Sequence, residues 1–302
     1  MIRMEPQVQN KSRTARRSQR PRSGTFRSGI VRSWIVVVLA TLAALAAVPV
    51  PAQAAPQGDI VVFGDSYATN HADELGPLCG HSPTSWPARL ARRTNTRLVD
   101  VSCSGASLFG RYNVYDQAPK AVAKGAFSRR TRAVLIQLGF NDWVDRLFYP
   151  RCFIAQCTDV QQFRRLNATA YANRLRALVD YVRFYAPTAT ISLVGYPELF
   201  AEGTRELCTR VVGGTAITRP QTIAAIAAGQ SLRTAQAGAA RILGIGFIDT
   251  HLVTAGHGMC ADDPWVRGVL YPHVGAAEGL LVGHPTAKGD AALAAAIAGT
   301  LT

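Results

Sequence analysis

Four short segments of this chain carry residue types that could do chemistry together. Gly64-Asp65-Ser66-Tyr67 offers a hydroxyl, Gly139-Phe140-Asn141-Asp142 a carboxamide, and Gly283-His284-Pro285-Thr286 an imidazole. Ser102-Cys103-Ser104-Gly105 offers a tight, small-residue turn. Serine and histidine form the pair used in nucleophilic catalysis, because a hydroxyl attacks poorly until a neighbouring base takes its proton. Each segment also has an ordinary reading. Gly-Asp-Ser can be a turn with a helix cap, and Asn141-Asp142 an Asx turn. Gly105 and Gly139 can be turn glycines, and His284 a surface histidine. The argument for a site lies in order and placement, since each segment follows an apolar run or precedes a helical pattern.

Those runs predict the elements that must position the four segments. Ile60–Phe63, Arg97–Val101, Ala133–Leu138, Thr190–Val194 and Ile245–Ile248 are short, continuous and rich in β-branched residues. Such runs fit strands buried on both faces of a parallel sheet. Helical patterns lie between them: Trp86 to Arg93, the stripe Tyr171, Leu175, Leu178, Val179 and Val182, and the Ala-rich segments Pro220–Ala240 and Thr286–Ile297. Pro187 ends the second of these. The alternation predicts one α/β domain, a three-layer α/β/α sandwich around about five parallel strands. In open sheets of this kind ligands bind at the carboxyl ends of the strands, which is where the four segments fall. Residues 108–131 and 143–162 read as irregular excursions.

The first 54 residues are of a different kind. Nine basic residues and one acid, Glu5, precede an apolar run of 15 residues from Trp34 to Val48. Pro49, Pro51 and the small-x-small site Ala52-Gln53-Ala54 follow. This order reads as a secretory signal peptide over 1–54, and the run is shorter than the ~20 residues of a spanning helix. The expected mature part is 55–302, extracellular and without a stable membrane anchor. Whole-chain charge is 33 − 19 = +14; without the leader it is 24 − 18 = +6. The remaining charge is scattered, which argues against a nucleic-acid partner. All six cysteines lie beyond the leader, and an even number in an exported chain favours disulfides. Sequence alone does not choose among the pairings; the spacing suggests neighbours in order, Cys79–Cys103, Cys152–Cys157 and Cys208–Cys260. No Cys-x-x-Cys is present and no histidine sits at ligand spacing from a cysteine pair, which argues against metal.

The chain resembles the SGNH hydrolases, also called GDSL lipases and esterases. Four ordered blocks carry the resemblance: Gly-Asp-Ser at 64–66, Gly105, Gly-x-Asn-Asp at 139–142, and His-Pro-x-x-x-Gly at 284–289. Gly256-His257-x-x-Cys260 followed by Pro264-Trp265 narrows it to the secreted, six-cysteine bacterial lipases and esterases. The resemblance implies a Ser66 nucleophile and a His284 general base. It implies an oxyanion hole from the backbone N–H groups of Ser66 and Gly105 and the amide of Asn141. Asp65 and Asp142 would brace these loops. No cofactor is implied, the substrate would be a small-molecule or lipid ester, and a monomer is expected. An acyltransferase, a polysaccharide deacetylase or an inactive binding relative would carry the same blocks.

One departure is plain. Relatives usually carry an aspartate three residues before the histidine, and here that residue is Leu281. A leucine side chain cannot accept the imidazole Nδ1 proton, so the expected arrangement is a Ser66–His284 dyad with the Leu281 backbone carbonyl orienting the ring. Glu278, Asp262 and Asp263 are the alternative acids. His71, His81, His251, His257 and His273 are expected to be structural or superficial, with His251 near Asp249. Leu108, Phe109, Trp143, Leu147 and Phe148 could form an acyl-binding surface or ordinary packing.

Overall fold

The computed structural model describes residues 56–71, 78–142, 167–199, 206–210, 216–220, 223–259, 261–267 and 283–301. In chain order the elements are β1 (Asp59–Gly64), α1 (Ser66–Thr69), α2 (Trp86–Thr94), β2 (Arg97–Asp100), α3 (Val114–Ala123), β3 (Thr131–Gln137) and α4 (Ala168–Tyr185). There follow β4 (Thr190–Val194), β5 (Glu206–Arg210), β6 (Ala216–Pro220), α5 (Ile223–Leu243), β7 (Gly246–Ile248), α6 (Thr250–Val253) and α7 (Ala287–Gly299).

The five expected strands form one parallel sheet in the order β2-β1-β3-β4-β7. Side chains alternate across a strand, and here both faces are covered. Val61, Phe63, Val134, Ile136 and Leu193 pack with Val114 of α3, Tyr171, Leu175 and Val182 of α4, and Leu232 and Leu243 of α5. Ile60, Val62, Ala133 and Leu135 pack on the other side with Trp86 and Leu90 of α2 and Leu293 and Ile297 of α7. This is the expected three-layer sandwich. Strand β1 lies between β2 and β3, so the chain leaves it in one direction and later returns in the other. In open sheets such a reversal is where ligands bind, and here it falls at the carboxyl ends of β1 and β3.

Two expectations on the elements need correction. Residues 108–131 are not wholly irregular, because they contain α3. Asn113 starts it with a capping box: its side chain accepts from Tyr115 N–H at 2.9 Å, and Asp116 accepts from Asn113 N–H at 3.0 Å. Its buried stripe is Val114, Gln117 and Ala121; a glutamine at the central position hides the periodicity. The Ala-rich helix does not begin at Pro220, which instead ends β6 in an antiparallel hairpin with β5. Asn167 caps α4, accepting from Ala170 N–H at 2.9 Å.

The Cys79–Cys103 disulfide is present. Cys152, Cys157 and Cys260, and with them the other two expected pairs, lie outside the described residues. So do residues 1–54, His273, Glu278 and Leu281, and Trp143, Leu147 and Phe148. Among the described residues no helix is long and apolar enough to cross a membrane.

Candidate active site

Ser66 opens α1 directly beyond the end of β1. Asp65 caps this short helix, its Oδ1 accepting from Tyr67 N–H at 2.9 Å. Its Oδ2 accepts from the Tyr196 hydroxyl at 2.6 Å, and that hydroxyl accepts from Phe140 N–H at 3.2 Å. Tyr196, beyond β4, thus ties the end of β1 to the end of β3. Complete burial pushes the Asp65 pKa up to about 7, against the Tyr196 and Tyr67 hydrogen bonds, which favour the ionised form. Gln117 of α3 supports the same corner: its Oε1 accepts from Gly64 N–H at 3.0 Å and its Nε2 donates to Gly64 O at 2.9 Å.

His284 reaches this corner from the far end of the chain. Its Nε2 lies 2.8 Å from Ser66 Oγ, and both residues are 8 % exposed. The segment from Trp265 to Arg267 runs against the histidine turn: Val266 bridges to Pro285, Arg267 N–H donates to His284 O at 2.9 Å, and Thr286 N–H donates to Trp265 O at 2.8 Å. Gly289 has a steric role here, because a Cβ at that position would run into the Trp265 carbonyl oxygen. The Gly256-His257 and Pro264-Trp265 motifs join the same brace. His257 stacks on Trp265 with ring centroids 3.7 Å apart, and its Nδ1 lies 2.8 Å from Asp263 O.

The other two segments converge on the same edge. Gly105 has φ +75°, a left-handed conformation that favours glycine. Its missing Cβ would meet nothing within 4 Å, so among the described residues backbone conformation rather than crowding calls for glycine. The Gly105 loop is fastened by Cys79–Cys103 and by Thr69 Oγ1, 2.9 Å from Ser104 Oγ. Asn141 donates through Nδ2 to Ala106 O at 2.8 Å, which uses one of its two amide hydrogens. Asp142 clamps the adjoining loop, accepting from Leu108 N–H at 2.6 Å and Phe109 N–H at 2.9 Å.

The other residues singled out from the sequence take places around the site. Leu108 is fully buried and belongs to the core, whereas Phe109 is 48 % exposed. His81 lies 3.1 Å from Ser102 O and 3.2 Å from Asp100 Oδ1. Burial opposes its charge, but the Asp100 carboxylate outweighs that and raises its pKa. Asp249 is engaged by the Arg233 guanidinium at 2.7 Å. Asp263 is exposed and accepts from Lys288 at 2.7 Å, which lowers its pKa. Asp262 is exposed too. Among the described residues no cluster of His, Cys, Asp and Glu could hold a metal ion.

A buried group behind the pair was not foreseen. Asn70, the C-cap of α1, donates through Nδ2 to Pro285 O at 3.0 Å and to Asp290 Oδ2 at 2.6 Å. Asp290 Oδ1 accepts from Trp86 N–H at 3.0 Å, and Arg267 donates to Asn70 Oδ1 at 3.1 Å. Burial pushes the Asp290 pKa up to about 7, against the Asn70 and Trp86 hydrogen bonds and the Arg267 charge. The sequence did carry a signal. Asp290 stands on the helical stripe it shares with Leu293, Ala294 and Ile297, and an acid on an apolar stripe asks for a buried partner.

Residues 62–292 match the GDSL-like Lipase/Acylhydrolase family. Lipase 2 of Streptomyces coelicolor is 28 % identical over 267 residues, which cover 81 % of this chain and 86 % of that protein. Lipase 1 of the same organism is 27 % identical over 271 residues, 84 % of this chain and 91 % of that protein. Among solved structures, phospholipase A1 from Streptomyces albidoflavus NA297 shares the fold with a TM-score of 0.58 at 22 % identity, covering 78 % of this chain and 95 % of its own. An extracellular lipase from Streptomyces rimosus does so with a TM-score of 0.56 at 23 % identity, covering 81 % and 100 %. The chain therefore belongs to the GDSL-like lipase/acylhydrolase family and is a carboxylic ester hydrolase.

Proposed function

We propose that the chain is a secreted serine esterase or lipase that works through a Ser66 acyl-enzyme with His284 as general base. The observation that carries this reading is the 2.8 Å contact between Ser66 Oγ and His284 Nε2, within the reach a base needs to take a hydroxyl proton. Oγ attacks the acyl carbon as its proton passes to Nε2. The imidazolium then returns the proton to the departing alcohol, leaving the acyl group on Ser66. Water, deprotonated by the same imidazole, releases the acid.

The oxyanion would be held by Ser66 N–H, Gly105 N–H and the second amide hydrogen of Asn141. Support comes from the convergence of these three residues at one sheet edge, with Asp142 and Tyr196 fixing the loops. For His284 we assign the orienting acceptor to the Leu281 backbone carbonyl, because leucine stands where an aspartate would supply a carboxylate. Residues 1–54 would direct export, leaving 55–302 as the mature enzyme acting as a monomer. Acyl esters of lipids or short-chain esters are the substrate class, in keeping with the lipase names of the relatives. The test is hydrolysis of p-nitrophenyl esters of increasing chain length by 55–302 and by Ser66→Ala. Turnover lost in the variant supports the reading, and the preferred chain length separates lipase from short-ester activity. A folded parent that cleaves none of them counts against it.

A further inference from the structure

The face of the His284 imidazole rests on a tyrosine. The Tyr67 and His284 ring centroids are 4.3 Å apart and their planes 24° from parallel. Tyr67 is completely buried and is gripped by Phe140 and Tyr196, each in edge-to-face contact at 4.8 and 4.9 Å. Its hydroxyl is buried and has no hydrogen-bond partner among the described residues. Burial pushes its pKa well up, so the ring is a neutral phenol. The residue follows Ser66 directly, so one turn places both the hydroxyl at Nε2 and an aromatic face beside the ring.

An aromatic face carries partial negative charge. A cation within about 6 Å of its centroid is attracted, most strongly where water is excluded. On the proposed reading His284 becomes such a cation each time it takes the Ser66 proton. A carboxylate three residues earlier would counter that charge, but leucine occupies that position. We propose that Tyr67 is a positioning residue whose ring face both fixes the His284 imidazole and stabilises the imidazolium formed during acyl transfer. The hydroxyl plays no part in this role. The inference rests on the Ser66–His284 reading and goes beyond it.

The test is a graded change of the ring's charge at constant shape. Tyr67→Phe and then mono-, di- and trifluorinated phenylalanines at position 67 are compared for kcat and KM on one p-nitrophenyl ester, with melting temperature as the control for folding. Tyr67→Phe is expected to keep kcat within about twofold, since the hydroxyl that is lost has no hydrogen-bond partner among the described residues. Each added fluorine is expected to lower kcat further, to a total of about tenfold, with KM unchanged. A kcat that stays flat across the fluorinated series, with Ser66→Ala still inactive, overturns the role of Tyr67 and leaves the nucleophile assignment standing. Turnover that survives Ser66→Ala overturns both.

Discussion

Asn70 Nδ2 lies 3.0 Å from the carbonyl oxygen of Pro285, joining the turn behind Ser66 to the turn that carries His284 across 215 residues of sequence. The same nitrogen also donates to Asp290, and Asn70 N–H closes α1 onto Ser66 O at 2.8 Å. One buried amide thus sets the distance between the two halves of the proposed dyad.

Asn70→Ala is expected to lose kcat more than KM, because it loosens the Ser66–His284 register and not the substrate surface. It also strips Asp290 and Pro285 of a donor, at a cost of about 1–3 kcal/mol in stability. Steady-state kinetics at a temperature where the variant remains folded, beside its denaturant midpoint, measure the two effects separately.

Asp290 gives a pH prediction with a definite sign. Its pKa is raised to about 7 in the folded chain, against about 4 when unfolded. Between those values the folded state holds a proton that the unfolded state has lost, so this group's stabilisation is complete below about pH 4 and is lost as pH rises towards and through 7. The difference in melting temperature between the parent and Asp290→Asn should therefore change steadily from about pH 4 to 7 and level off above it, the parent losing ground to the variant as pH rises. A difference that stays constant across that range would place the Asp290 pKa near its ordinary value.

For Asn141 the expectation is a loss confined to the chemical step. Asn141→Ala should lower kcat by about a hundredfold to a thousandfold with KM nearly unchanged, as for the loss of one oxyanion donor. Its contact with Ala106 O predicts a small accompanying loss of thermal stability. Equal kcat in parent and variant would remove Asn141 from the oxyanion hole.

The alternative acids provide a further check. If a backbone carbonyl orients the ring, Asp262→Asn, Asp263→Asn and Glu278→Gln should each keep turnover within a few-fold of the parent. Asp263 is already engaged by Lys288, so its amide variant should cost only the modest energy of an exposed ion pair. A loss of about ten-thousandfold at any one of the three would identify a third catalytic group.

The sheet was legible because its five strands come from short runs rich in β-branched residues, a pattern that fits the strands of a covered parallel sheet. The Ser66, Gly105, Asn141 and His284 segments were legible for a related reason: they follow those strands or precede the last helix. What escaped was polar and internal. Gln117 sits at the centre of the α3 stripe because it must serve both the N–H and the C=O of Gly64, so the helix reads as irregular. Asn70 carries no local signal of its role, because only the fold sets it against Pro285 and Asp290. Those two residues lie 215 and 220 positions away, and no local pattern reports such a meeting. Tyr67 was equally silent, since stacking on His284 depends on how the last turn of the chain arrives.

The most direct test of the central claim is to trap the acyl-enzyme stage. The mature protein, Ser66→Ala and His284→Ala would each be treated with a p-nitrophenyl alkylphosphonate and examined by intact and peptide mass spectrometry. The account predicts one adduct per chain on Ser66 in the parent, none in Ser66→Ala, and labelling slowed by at least about a thousandfold in His284→Ala. An adduct on any other residue, or undiminished labelling of Ser66→Ala, would contradict it.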